Sequence, residues 1–371
     1  LVRNDQAVDA SADHVEIYVD ARFPLEEVNI IAARLDASKA LVAGYIPPSV
    51  GMLNVGAMKF EKLSGCSFVL LPDRNIVSRM ARVASGRELH PFEKTAQLAV
   101  DLMAYAQAMD IEIEPSVSFH ELAHMSGNEI ANLELSHFRG ADQGQADAWI
   151  ELAMGRTSKL RSFNPGELLE LDLAAPLSRW RRNYLVALKV GDLELADLTP
   201  TERAVSLLEW MEKDYFVAGP GLLYGMMFLG PIARKADLFK QLRSPARDRA
   251  IAGIKNAAWD MTHLSDFLKR VQDALTGDSS RRFLFATGDE RLANIARVLF
   301  SLVREEESLK NDIENVLREW WPRRDAEALA ELTFKQLALA GRRPPPSFKG
   351  ESSDPIRDWT TEAEGRILHR R

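Results

Sequence analysis

The spacing of apolar residues along the chain changes several times, and each change marks an expected element. His14 to Val19 (HVEIYV) alternates apolar and polar positions with the period of a half-buried strand. After Pro24, residues Leu25, Val28, Ala32 and Leu35 recur at helical spacing, and Leu41 to Ile46 reads as a second short strand stopped by Pro47-Pro48. Cys66 to Leu71 (CSFVLL) is a compact apolar run whose length and bulk suit a strand buried on both faces of a parallel sheet. It passes through Pro72-Asp73-Arg74-Asn75 into a helix over Ile76 to Ala84. A second helix is expected from Pro91 to Met109, with Leu98, Leu102 and Ala106 on one face. Ile111 to Ile113 is a further short strand, and Pro115 opens the next helix.

From about Asn128 to Asn256 the pattern is mostly helical. Arg282 to Thr287 (RFLFAT) then returns to a short aromatic strand, and Glu290 to Arg304 to a helix. Alternation of strand and helix is the mark of a parallel sheet with crossover helices. The expected fold is therefore α/β: a three-layer α/β/α arrangement with a mainly parallel sheet, plus a large and mostly helical insertion. Residues 1–125 and 254–310 would form a discontinuous core and 126–253 the insertion. Residues 311–340 would form a C-terminal helical segment and 341–371, which include RRPPPSFKGESSDP, a loop-rich tail.

Composition narrows the setting. Of 371 residues, 46% are hydrophobic and 27% charged, the proportions of a folded globular chain. A single cysteine, Cys66, excludes an intramolecular disulfide and a thiolate zinc cluster and fits a reducing compartment. The N-terminal stretch LVRNDQAVDASADHVE is polar and has no signal-peptide pattern, so a cytoplasmic location is expected. The uncharged stretch Phe216 to Ala233 contains four Gly and two Pro, which would repeatedly interrupt a spanning helix. A buried loop and short helix is expected there, and no membrane span. The formal net charge of −7 argues against wholesale wrapping of nucleic acid but leaves room for local basic patches. Candidate patches are Arg179-Trp180-Arg181-Arg182, the group Arg234, Lys235, Lys240, Arg243, Arg247 and Arg249, and Arg323-Arg324; each also reads as an ordinary solvated helix face. The chain has no GxxxxGK[ST] loop, no GxGxxG turn after a strand and no GxSxG elbow.

The candidate chemistry lies in scattered acids. In parallel α/β sheets ligands bind beyond the carboxyl ends of the strands. Asp73 follows CSFVLL and Asp289 follows RFLFAT, so both are expected at one edge of the sheet. Asp is also a favoured helix N-cap, and at both places that structural role competes with a chemical one. Glu121 lies on the helix after IEIEPS, and Asp260 on a helix leading to the last strand. The segments LPDRN, PSVSFHELA, NAAWD and FATGDERLANIA resemble, in order, the acidic motifs of PIN-like nucleases, in particular long bacterial forms with a helical insertion. The resemblance implies that Asp73, Glu121, Asp260 and Asp289 are metal ligands, with Asn75 and Thr287 orienting the first and last of them. Pro72 departs from the apolar residue usual before the first Asp, and Asp266 competes with Asp260 for the third position. The resemblance further implies Mg²⁺ or Mn²⁺, hydrolysis of phosphodiesters to 5′-phosphate and 3′-hydroxyl ends, and a nucleic-acid substrate, RNA being the commoner one. Such ions favour hard oxygen ligands and activate water for in-line attack.

A second motif shares one of these acids. His120-Glu121-Leu122-Ala123-His124 is an HExxH string, which on a helix sets two imidazoles one turn apart with a glutamate beside them. In a zinc metallopeptidase His120 and His124 would bind Zn²⁺, Glu121 would be the general base, and a downstream carboxylate such as Glu151 the third ligand. The extended HExxHxxGxxH form is absent, because Ile130 stands where its third histidine would be.

Overall fold

The fold is described from a computed structural model, for residues 20–370 except 89–92, 144–145, 161–164, 233–237, 278–279, 305–307 and 341–353. The strand expected at His14 to Val19 lies outside the described residues. The first helix, α1, covers Leu25–Ser38 and buries Val28, Ile31, Ala32 and Leu35. Then follow β1 (Leu41–Ala43), α2 (Val55–Leu63), β2 (Ser67–Pro72), α3 (Arg74–Ala84), α4 (Lys94–Ala108) and β3 (Glu112–Ile113). Helices α5 (Ser116–Ser126), α6 (Asn128–Asp142), α7 (Ala146–Ala153), α8 (Ser178–Leu195), α9 (Pro200–Lys213) and α10 (Gly219–Leu229) lead to a helix of 30 residues, α11 (Arg247–Thr276). Strand β4 (Arg281–Ala286) precedes α12 (Glu290–Val303), α13 (Leu309–Arg318), α14 (Arg323–Ala340) and α15 (Pro355–Leu368).

The four strands form one small mixed sheet in the order β1-β4-β2-β3. β2 runs parallel to both β3 and β4, whereas β1 is antiparallel to β4, with Leu41 opposite Ala286. The molecule is thus α/β but mostly helical, around a sheet less uniformly parallel than expected. β1 is three residues long and meets β4 only through a long-range pairing, so its direction has no local sequence mark. Because successive side chains in a strand point to opposite faces, each strand feeds two cores. Val42, Val69, Leu71, Phe283 and Phe285 join one apolar cluster. Leu41, Phe68, Leu70, Leu284 and Ala286 join the other.

Both faces therefore need helical cover, and residues 126–253 supply part of each. Leu135, Phe138 and Trp149 of α6 and α7 pack in the second cluster, whereas Leu188, Leu208 and Met227 of α8–α10 pack in the first. The helical stretch is divided between the two cores rather than set apart, and its expected boundary at residue 253 falls inside α11. The uncharged stretch after Phe216 forms α10, buried along its length. Among the described residues no helix is long and apolar enough to cross a membrane. Residues 355–368, expected within a loop-rich tail, form α15. It opens on Asp354, whose carboxylate accepts from the Arg357 amide, with Pro355 in the first turn.

Candidate functional site: four carboxyls at one edge of the sheet

Strands β2 and β4 pair in register down to Pro72 opposite Ala286, so their carboxyl ends lie side by side. The Asp73 amide donates to Ala286 O at 2.9 Å and carries the pairing one residue further. Asp73 then caps α3, its Oδ1 accepting from the Ile76 amide at 2.9 Å. Its Oδ2 accepts from the hydroxyl of Thr287 at 2.6 Å. The same Thr287 oxygen accepts from the amide of Asp289 at 3.0 Å, so one buried hydroxyl joins the turns after both strands. Asp289 caps α12 through the Arg291 amide and holds the Arg291 guanidinium with both carboxylate oxygens, each at 3.0 Å. The capping role and the convergence of Asp73 and Asp289 thus coexist.

Glu121 reaches the group through an anchor one turn earlier. Ser118, fully buried on α5, donates to Pro72 O at 2.9 Å and pins this helix to the end of β2. Glu121, three residues on, shares that helix face and is buried with it. Its Oε2 accepts from Nε2 of His263 at 3.1 Å. Asp260 stands one turn before His263 on α11, and its Oδ2 accepts from the hydroxyl of Tyr224 at 3.0 Å. All four expected acids therefore meet within one electrostatic neighbourhood: Asp73 senses His263 and Glu121, and Asp260 senses Glu121, Asp289 and His263. Asp266 instead holds Arg179 and Arg270, which leaves Asp260 as the acid on the site face. Asn75 is exposed on the first turn of α3 and bonds none of the four acids among the described contacts.

Burial and like charge set the protonation of the group. Burial raises the Asp73 carboxyl above its ordinary value, although the Thr287 hydroxyl, the Ile76 amide and nearby His263 work against the rise. Burial, then the charge of Glu121, pushes Asp260 up to about 8, with Asp289 adding to the rise and the Tyr224 bond opposing it. For His263, burial disfavours the charged ring. The bond to Glu121, the charge of Glu121 and the charges of Asp73 and Asp260 outweigh it, so the imidazole keeps its proton to higher pH than usual. Thr287→Val, which keeps the shape and deletes the hydroxyl, is expected to lower unfolding free energy by about 1.5–3 kcal/mol, the worth of a hydrogen bond to a charged group. Urea denaturation measures it, and an unchanged midpoint would show that the Thr287–Asp73 bond contributes nothing.

His263 and Tyr224 are the members that motif reading missed. A histidine three residues after Asp260 was the available signal, since that spacing sets both on one helix face. Tyr224 had none, because it sits in an uncharged glycine-rich helix. The HELAH histidines look elsewhere. Nδ1 of His120 donates to Leu173 O at 2.7 Å, and Nδ1 of His124 to His120 O at 2.9 Å. The His124 ring packs against Trp180 and Trp259, while Glu151 is held by Arg156. The basic cluster on α8 is likewise engaged: Arg179 pairs with Asp266, Arg181 with Asp354, and Trp180 stacks on Tyr184. Among the described residues no group of three or more His, Cys, Asp or Glu side chains is placed to hold a metal ion. Compared with known protein families, with curated proteins and with solved structures, the chain matches none.

Proposed function

We propose that the chain is a divalent-cation-dependent nuclease of PIN-like α/β/α architecture, acting on phosphodiesters of nucleic acid, with RNA as the first substrate to test. The observation that carries the reading is the arrival of Asp73, Glu121, Asp260 and Asp289, from four distant segments, at the carboxyl edge of two adjacent parallel strands. A purely structural account explains two helix caps but not why Glu121 and Asp260 lie close enough for their charges to act on one another and on the caps, at the cost of mutual repulsion.

The donor set suits Mg²⁺ or Mn²⁺. All four groups are hard oxygen donors, and the acids exceed the nearby cations His263 and Arg291. Mg²⁺ is commonly held by one or two carboxylates with water completing its shell, so a closed protein cage is not required. A bound cation would supply a water made nucleophilic at neutral pH and a counter-charge for the leaving oxygen. The chain's own residues do the rest. Thr287 and the Ile76 amide fix Asp73, Tyr224 fixes Asp260, and His263 fixes Glu121 while offsetting part of the negative charge. Zn²⁺ at His120, His124 and Glu151 finds less support, because Glu151 is held by Arg156 and the His124 ring lies against Trp180 and Trp259; the Nδ1 bonds to backbone carbonyls are compatible with a metal at Nε2 and do not decide the matter.

The direct test is incubation of the purified chain with end-labelled single-stranded RNA. Cleavage to fragments with 5′-phosphate ends is expected with Mg²⁺ or Mn²⁺ and none with a chelator. Equal cleavage in both, or none with either cation, would count against the nuclease.

A further inference from the structure

Helix α15 packs on α8, and where the end of α9 meets them a cavity of about 400 Å³ remains. Its walls follow helical spacing. Lys189 comes from α8, Trp210 and Asp214 stand one turn apart at the end of α9, and Trp359, Glu362 and Arg366 share one face of α15. The two indoles are held from behind by Tyr215, which is buried. Its ring stacks on Trp210 with centroids 4.8 Å apart and lies 6.4 Å from the ring of Trp359. The Tyr215 hydroxyl donates to Arg182 O at 3.2 Å, so the aromatic walls are set by the fold itself.

Two cations and two anions line this cavity, and only one pair of them is joined. Nη1 of Arg366 donates to Oε1 of Glu362 at 2.7 Å, and Nε of Arg366 lies 3.5 Å from Asp192. Lys189 and Asp214 are left over. Among the described residues neither side chain has a hydrogen bond or an ion pair, yet Asp214 is near enough to favour the charged amine. The Lys189 ammonium instead stands over the Trp210 ring, 5.7 Å from its centroid. A cation–π contact of that kind uses none of its three N–H donors. Burial disfavours the charged amine; Asp192 and Asp214 oppose this through space, and Arg366 adds to it. A carboxylate brought to Nζ would relieve that cost.

We propose that this cavity binds a free α-amino acid with an apolar or aromatic side chain. Its carboxylate would meet Lys189, its ammonium Asp214, and its side chain the indoles of Trp210 and Trp359. A zwitterion bridges an unpaired cation and an unpaired anion that do not reach each other, and both new bonds are charge-assisted. A simple anion would suit Lys189 but face Asp214 and Glu362, and a simple cation would face Lys189 and Arg366. The volume is that of a small-molecule pocket, and indole walls suit a flat or apolar body. None of the wall residues is one of the four acids or a partner of them, so the inference stands apart from the nuclease reading.

Isothermal titration calorimetry of the full chain with L-phenylalanine, N-acetyl-L-phenylalanine and L-phenylalanine amide tests this, because each derivative lacks one of the two charges. The free amino acid is expected to bind at least about tenfold tighter than either derivative, the equivalent of one charge-assisted hydrogen bond. Lys189→Met should abolish the preference for the amino acid over its amide and keep the preference over the N-acetyl form. Asp214→Asn should do the reverse. Lys189→Arg, which returns the cation, should restore the preference that Lys189→Met loses. Melting curves and circular dichroism check that the variants fold, and each preference is a ratio measured within one variant. No binding of either L-phenylalanine or L-leucine at millimolar concentration overturns the proposal. So does an N-acetyl derivative or an amide that binds the parent as tightly as the free amino acid, or parental preferences in both Lys189→Met and Asp214→Asn.

Discussion

Asp73→Asn is expected to lower cation-dependent cleavage of single-stranded RNA by at least about 100-fold in kcat/KM while leaving the fold in place. The size follows from what the carboxylate would contribute. An acid that holds a catalytic cation supports several kcal/mol of charge stabilisation in the transition state, and each 1.36 kcal/mol is about tenfold in rate. The fold should persist because Asn keeps the capping oxygen for the Ile76 amide, and the Thr287 hydroxyl can rotate to bond the amide side chain. Asp73→Ala, by contrast, would remove the cap as well and lose about 1 kcal/mol of stability. The control is His124→Ala. Its ring packs on Trp180 and Trp259 and bonds a backbone carbonyl, so cleavage should stay within about twofold of the parent. If instead His124→Ala abolishes activity and Asp73→Asn does not, the catalytic centre is the HELAH segment and the carboxyl group is structural.

What the chain disclosed of this site before its structure followed the locality of each feature. Asp73 and Asp289 were legible because strand, acid and helix follow one another within a few residues, and parallel neighbours must end at the same edge. Glu121 was legible only as a residue of interest: two motifs claim it, and the contact that decides its direction, Ser118 to the Pro72 carbonyl, spans distant segments. His263 was written in the helical spacing from Asp260, yet a lone histidine on a largely buried helix resembles any core histidine. The division of residues 126–253 between two cores was hidden for a different reason. Helical periodicity tells which face of a helix is apolar but not which side of a sheet will bury it. The helix from Pro355 to Leu368, in contrast, carried an ordinary start signal in Asp354-Pro355 that the preceding proline-rich run overshadowed.

Asp260→Asn should show the opposite balance from an ordinary core substitution: a more stable protein that no longer cuts. In the folded chain this carboxyl keeps its proton up to about pH 8, whereas in the unfolded chain it loses it near 3.8. Between those values the unfolded state binds fewer protons, so stability falls as pH rises through the window and levels off above it. Asn carries no charge in either state and still accepts from the Tyr224 hydroxyl, so the variant escapes this loss. The difference in melting temperature between variant and parent should therefore be small near pH 4, grow with pH and be largest near pH 8.5. A gain of at least ~1 kcal/mol there corresponds to about 2 °C in a large domain. Adding Mg²⁺ or Mn²⁺ at pH 8.5 supplies the complementary half of the argument. A cation that binds the ionised acids stabilises the parent by mass action, about 2.7 kcal/mol at a hundredfold excess over Kd, and should do so far less in the variant. Differential scanning fluorimetry across pH, with and without the cation, reads both effects. A variant that melts below the parent at pH 8.5, or gains as much from the cation, would mean that Asp260 is held by favourable contacts rather than by a function that opposes stability.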